Sequence, residues 1–127
     1  MGVSLHWSAS RGHALSSAEE AQLRGLVAAH NASFAYDAQT LQIDPPQQDG
    51  PVLQGSTQLP SADPFATFLG LAHWCQALTD MRRALPDAVW EAHVDGEPVP
   101  WDDAEGYGWP EQRDPALMAE MQQLMRR

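Results

Sequence analysis

A long, one-sided stretch at residues 63–86 constrains the fold more than any other part of the sequence. Asp63 and Pro64 are typical of a helix N-cap and first turn, and Pro86 ends the helix because proline lacks a backbone N–H. At about 100° per residue, the apolar side chains between these signals fall on one arc. That arc contains Phe68, Leu71, Trp74, Cys75, Leu78, Met81 and Leu85. The pattern predicts a helix of about six turns that covers a sheet.

The polar side of this helix is predicted to face solvent. It carries His73, Gln76, Asp80 and Arg83, roughly opposite the apolar arc. His73 and Cys75 are two residues apart and point in different directions on a helix, so they do not form a shared metal site. Cys75 belongs to the apolar face and is interpreted as a small buried residue.

Alternation of apolar and polar residues predicts short strands around this helix. Residues 3–7, 53–59 and 89–94 each have one apolar and one polar face, and residues 34–43 form a less regular extended region. Between residues 3–7 and 34–43, a capping box at Ser16 and Glu19, or at Ser17 and Glu20, predicts the start of another helix. Asn31 is predicted to end that helix in a left-handed conformation.

The order strand, helix, strand, strand, helix, strand predicts an α+β fold with the ferredoxin-like split βαβ (βαββαβ) arrangement. Two helices would cover one face of an antiparallel sheet, with residues 3–7 beside residues 89–94 and the two middle strands paired as a hairpin. The chain is interpreted as a single domain, residues 1–127, with the core at 1–95. Residues 96–127 would add a hairpin after Asp95-Gly96, a loop, and a short final helix.

Composition excludes several classes of partner. Seventeen acidic residues against seven arginines give a net charge of −10, which opposes binding to nucleic acid or to an anionic membrane surface. No stretch approaches the roughly twenty apolar residues that span a bilayer. One cysteine excludes an intrachain disulfide and favours the cytoplasm. Since no nucleophile, metal-binding or phosphate-binding motif is found, we expect no cofactor and favour a protein that is not an enzyme.

The acidic residues are concentrated near the C-terminus. Residues 87–114 contain nine acids and one base, interleaved with tryptophan and tyrosine. Aromatic rings among carboxylates are typical of a surface that binds a basic protein. The predicted partner-binding residues are Asp95, Glu97, Trp101, Asp102, Asp103, Glu105, Tyr107 and Trp109. The other interpretation is that the aromatic residues pack the extension against the domain, in a compact cap that Gly106 and Gly108 would permit.

Three functional hypotheses follow. The first is an immunity or inhibitor protein that neutralises a basic toxin such as a nuclease. The second is a dimeric ferredoxin-like enzyme or small-ligand-binding domain that uses the open sheet face, where His6, Glu91 and His93 could bind zinc or perform acid–base chemistry. The third is a subunit of an oligomer without independent activity.

Overall fold

The computed structural model of this 127-residue protein describes residues 3–34, 41, 43, 51–59, 64–108, 116, 119, 120 and 123. Its helices and strands follow one another in the order β1 (Ser4–Ser10), α1 (Ser17–Ala32), β2 (Leu53–Gln58), α2 (Pro64–Ala84), β3 (Val89–Val94), β4 (Glu97–Pro98), β5 (Trp101–Asp102) and β6 (Gly106–Tyr107).

A four-stranded antiparallel sheet with the order β2-β1-β3-β4 forms one layer of the domain. Strand β1 lies in the centre and contributes alternate residues, Leu5, Trp7 and Ala9, to the buried face. Both α1 and α2 share one apolar core with that face, and the rings of Trp7 and Trp90 stack at 6.3 Å within it. The predicted α+β class, and the neighbouring position of the strands at 3–7 and 89–94, are therefore confirmed.

The predicted extended region at residues 34–43 falls mostly outside the described residues. Its described members, Phe34, Leu41 and Ile43, do not belong to a strand. The strand at 53–59, predicted to pair with that region, pairs with β1 in register, with Trp7 opposite Gly55. The described helices and strands thus form an α+β fold. Their sheet order, β2-β1-β3-β4, does not by itself confirm the ferredoxin-like arrangement.

A capping box begins α1. The Ser16 side chain accepts a hydrogen bond from the backbone N–H of Glu19, and the Glu19 carboxylate accepts one from the N–H of Ser16. The prediction for Asn31 is wrong, because Asn31 is helical and α1 continues to Ala32. Its side-chain amide instead pairs with both the N–H and the carbonyl of Leu41, at 3.0 and 3.3 Å. The Asn31 side chain is thus held by a distant segment while its backbone stays helical.

The predicted arc of α2 forms the centre of the core, with Trp74, Cys75, Leu78, Met81 and Leu85 all buried. His73, which was expected to face solvent, is instead half-buried, because α1 lies against that side of α2. His73 Nε2–H donates to the carbonyl of His30 at 2.8 Å, and His30 Nε2 lies 2.8 Å from Asp80 Oδ2. Helix α2 is therefore packed on more than one side.

Arg11 ties the loop after β1 to two distant parts of the chain. Its side chain is only 3% exposed and bonds the carboxylates of Glu19 and Asp87, with nitrogen–oxygen distances of 2.6 to 3.2 Å. These charge-assisted bonds raise the pKa of Arg11 and lower the pKa of Glu19 from 4.5 to about 2, with the Arg11 hydrogen bond as the main cause. The start of α1 and the turn before β3 are thereby held together.

Part of the predicted C-terminal helix is present. Ala116, Ala119, Glu120 and Gln123 are helical and exposed, and the other residues of that prediction lie outside the described ones. Within the described chain, no helix combines the length and the apolar character needed to cross a membrane.

Candidate functional site

Two short β-hairpins present the acidic residues after β3. The first turns at Asp95 and Gly96, whose φ angles are 50° and 87°, as the predicted two-residue turn requires. Strand β4 returns along β3 only at Glu97 and Pro98. The second hairpin, β5–β6, forms a separate two-stranded sheet in which Trp101 lies opposite Tyr107.

The second hairpin is fixed to α2 by a buried hydrogen bond. The Tyr107 N–H donates to Thr79 Oγ1 at 3.0 Å, and Thr79 Oγ1–H donates to the Cys75 carbonyl at 2.7 Å. Gly106 comes so close to Thr79 that a Cβ there would lie 2.4 Å from Thr79 Cγ2. Position 106 therefore needs glycine both for this approach and for its φ of +88°.

An arginine from α2 supports both aromatic rings of the hairpin. The Arg82 guanidinium lies 4.0 Å from the Trp101 ring centroid and donates to the Tyr107 hydroxyl at 3.1 Å. The two rings meet edge to face at 5.0 Å. Burial raises the pKa of Tyr107, although the hydrogen bond from Arg82 acts in the opposite direction. The result is a cation held against both aromatic rings of the hairpin.

The turn between β5 and β6 is organised by its own carboxylates. Asp102 Oδ1 accepts from the N–H groups of Ala104 and Glu105 at 2.8 and 2.9 Å, and Asp103 Oδ1 accepts from Trp101 Nε1 at 2.8 Å. Arg83 donates to the Ala104 carbonyl at 3.0 Å. These bonds give the turn a defined shape on the end of α2.

The predicted partner-binding residues differ in their accessibility. Five carboxylates are exposed, those of Asp95, Glu97, Asp102, Asp103 and Glu105. Trp101 is half-buried, Tyr107 is only 7% exposed, and Trp109 lies outside the described residues. Tyr107 therefore packs the hairpin onto the domain, whereas Trp101 keeps part of its ring at the surface beside the acids.

The other predicted group, His6, Glu91 and His93, lies on the open face of the sheet. The register aligns Ser56, His6 and His93 across three strands in one row, and Gln54, Ser8 and Glu91 in the next row. These six polar residues help to line a shallow pocket of about 240 Å³. None of their side chains forms a hydrogen bond or ion pair with another described residue.

The pocket does not contain a three-ligand metal site. Among the described residues, no three His, Cys, Asp or Glu side chains are grouped so that they could hold a metal ion. His6 and His93 are direct cross-strand neighbours, and Glu91 is diagonal to His6. The residues suited to contact a ligand here are two imidazoles, two hydroxyls, one amide and one carboxylate.

Comparison of the chain with protein-family models, with curated proteins and with solved structures found no match. The site residues that sequence patterns missed are mainly supporting ones. Thr79 and Arg82 hold the β5–β6 hairpin on α2. The only sequence signal for this role was that the two residues are three positions apart and so share one side of the helix. Gln54 and Ser56 lie on the polar side of a strand that alternation did predict, so their place on the open face could have been found.

Proposed function

We propose that this protein is a small acidic protein-binding domain that neutralises a basic partner. The observation that carries the proposal is the set of five exposed carboxylates at Asp95, Glu97, Asp102, Asp103 and Glu105. We call this set the acidic surface. Residues 95–108 contain no basic residue, so no charge within the segment cancels it.

The nearby arginines leave the acidic surface with excess negative charge. Arg82 is stacked against Trp101, and Arg83 bonds the carbonyl of Ala104, so both cations support the hairpin from the side of α2. Among the described residues, two arginines therefore lie beside five carboxylates. Long-range attraction from such a surface accelerates encounter with a basic protein and is weakened by salt.

The size and rigidity of the acidic surface suit a protein partner. Glu97 and Asp102 are five residues apart, so their Cα atoms are at most about 18 Å apart. A standard interface, to which each partner contributes roughly 800 Å², is wide enough to include both of these acids, one from each hairpin. Thr79 and Arg82 fix the β5–β6 hairpin, and hydrogen bonds within its turn hold the carboxylates of Asp102 and Asp103, so binding loses less conformational entropy.

An immunity or inhibitor protein is the most concrete form of this proposal. The active site of a nuclease attracts phosphate oxygens through basic side chains, and exposed carboxylates offer similar acceptors. The accessible part of Trp101 would add apolar contact area at the centre of the charges. A basic toxin such as a nuclease is thus the partner class we propose.

We also propose that the complete fold is ferredoxin-like, with residues 34–43 along the outer edge of β2. The Leu59 N–H donates to Val3 O, so alternate residues of β2 bond β1, and the backbone groups of Gln54 and Ser56 point to the other edge. Leu41 is only 2% exposed, which supports a packed position. Hydrogen exchange of backbone amides tests directly whether another strand pairs with the outer edge of β2. Slow exchange of the Gln54 and Ser56 amides is expected, and free exchange at both would contradict the added strand.

To test the binding proposal, source-cell lysate is passed over the immobilised protein at low salt. The proteins that it retains are then eluted with a salt gradient. A basic protein retained in stoichiometric amount is then purified, and its affinity is measured against two variants. Glu97→Lys/Glu105→Lys reverses two acids whose side chains make no hydrogen bond within the described structure. The control, Glu20→Lys/Glu120→Lys, makes the same change in net charge at exposed positions elsewhere.

We expect the first variant to weaken binding at least tenfold and to reduce its dependence on salt, because it removes charges at the contact. The control should retain nearly the full affinity. Equal loss in both variants would mean that only the overall charge matters, and no loss in either would contradict the proposed surface.

The open sheet face supports a second candidate function, binding of a small ligand. The observation in its favour is the open-face pocket, which is bordered by six polar side chains that form no hydrogen bond with other described residues. A screen of small metabolites by thermal shift, with Ser8→Ala and Gln54→Ala as variants, would test it. A ligand whose stabilisation survives both substitutions would not be bound there.

A further inference from the structure

We propose that His6 and His93 form a two-imidazole site for a borderline divalent transition-metal ion such as Zn²⁺ or Ni²⁺. The inference gives a ligand class to the open-face pocket and so rests on the second candidate function. It is independent of the acidic surface. The first observation is the register, which sets the two histidines directly opposite each other on β1 and β3.

The spacing of the pair suits one shared ion. The Asp95 N–H donates to Ser4 O, and bonded pairs then recur every second residue, which makes His6 and His93 a hydrogen-bonded cross-strand pair. Such pairs have Cα atoms about 5.5 Å apart and side chains on the same face of the sheet. Two imidazoles on that spacing can converge on one ion at metal–nitrogen distances of about 2.0–2.1 Å.

These two histidines differ from the others because their rings make no hydrogen bond, ion pair or ring contact with another described residue. His30 and His73 are engaged in the contact between α1 and α2, and His13 Nε2 lies 3.9 Å from Asp87 Oδ2. The side chains of His6 and His93 have no such contact, although their backbones pair in the sheet. Neutral imidazole is the most common protein ligand for transition metals, and here two imidazoles are available side by side.

The rest of the pocket defines how such a site would behave. Since no three ligands are grouped among the described residues, the histidines would form a chelating pair, with water completing the coordination. Glu91, two residues before His93, adds a negative charge nearby that favours a cation. Two nitrogen ligands prefer Ni²⁺ and Zn²⁺ to Mg²⁺, which requires oxygen ligands. The expected signature is reversible, selective binding of one ion per chain.

The experiment is isothermal titration of the full chain with NiCl₂ and ZnCl₂, with MgCl₂ as the reference cation. Variants His6→Ala and His93→Ala each remove one ligand, and His13→Ala, at a side chain 70% exposed, is the matched control. Glu97→Lys/Glu105→Lys tests whether the acidic surface attracts the ion instead. Thermal unfolding of each variant confirms that it is folded, and NMR line broadening of the ring protons by Ni²⁺ locates the ion.

We expect one Ni²⁺ per chain, lost in His6→Ala and in His93→Ala and retained in the other two variants, with broadening at both rings. Binding that survives either ligand substitution, or that is equal for Mg²⁺, would overturn the inference. If metal binding fails but an organic ligand still depends on Ser8 and Gln54, only the metal assignment is wrong. Loss of protein binding in the acidic-surface variant would leave this site untouched.

Discussion

Substitution of Gly106 by alanine should detach or destabilise the β5–β6 hairpin, because two separate costs fall on one position. The backbone φ of +88° is unfavourable for an L-residue by about 1–2 kcal/mol. The added Cβ would also lie 2.4 Å from Thr79 Cγ2 and 2.6 Å from Thr79 Oγ1. The Thr79 side chain, only 1% exposed, would have to move.

The displacement of Thr79 adds a second cost. Thr79 Oγ1 accepts from the Tyr107 N–H and donates to the Cys75 carbonyl. Leaving one such buried group without a partner costs about 1–3 kcal/mol. Together the two costs give about 2–5 kcal/mol, a large share of the 5–15 kcal/mol that stabilises a typical domain. Gly106→Ala should therefore show a clearly lower free energy of unfolding, or a hairpin that opens before the rest.

Gly96 provides the matched control. Its φ of +87° is nearly the same, but a Cβ there would meet no atom within 4 Å. Gly96→Ala should therefore lose only the conformational cost of about 1–2 kcal/mol. Urea unfolding followed by tryptophan fluorescence would compare the two variants. Equal losses at positions 96 and 106 would refute the role of the Thr79 contact, and so would a Thr79→Ala background that failed to reduce the cost of Gly106→Ala.

Three further substitutions test other parts of the fold. Ser16→Ala removes the N-cap of α1 and should lower the free energy of unfolding by about 1 kcal/mol in urea titration. Thr57→Val should raise it by about 1 kcal/mol, since Thr57 is fully buried and its hydroxyl has no partner among the described residues. Glu19→Gln tests acid stability. Because the folded pKa of Glu19 is lowered from 4.5 to about 2, its ionic contribution is complete above pH 4.5 and is lost as the pH falls towards 2. The stability difference between wild type and Glu19→Gln should shrink over that range, and a constant difference would refute the link to Arg11.

Local patterns predicted the parts of the fold that depend on neighbouring residues. Alternation fixed which side of each strand is buried, so the shared open face of His6, Glu91 and His93 followed once two strands were neighbours. The capping box at Ser16 and the turn at Asp95 were likewise readable, since their hydrogen bonds or φ angles involve residues next to each other.

Contacts between distant segments were not predictable from local patterns. Asn31 is a good helix terminator in isolation, but here its amide bonds Leu41. His73 lies on the polar side of an isolated α2, yet the carbonyl of His30 provides a partner there. Polar residues of this kind have two favourable environments, solvent or a specific partner, and sequence periodicity does not distinguish between them.

The anchoring of the acidic hairpin links the core to the proposed binding surface. Arg82 satisfies the Tyr107 hydroxyl and the face of Trp101, so its positive charge is directed at the aromatic rings. Without Arg82, the hairpin would lose these contacts, and the carboxylates of Asp102 and Asp103 would be presented on a less ordered turn. Substitution of Arg82 by alanine would therefore weaken partner binding, although the loss of a positive charge makes the protein more negative. A lower affinity of this variant for the basic partner would show that the order of the acidic surface matters as well as its charge. Electrostatic attraction alone predicts a higher affinity.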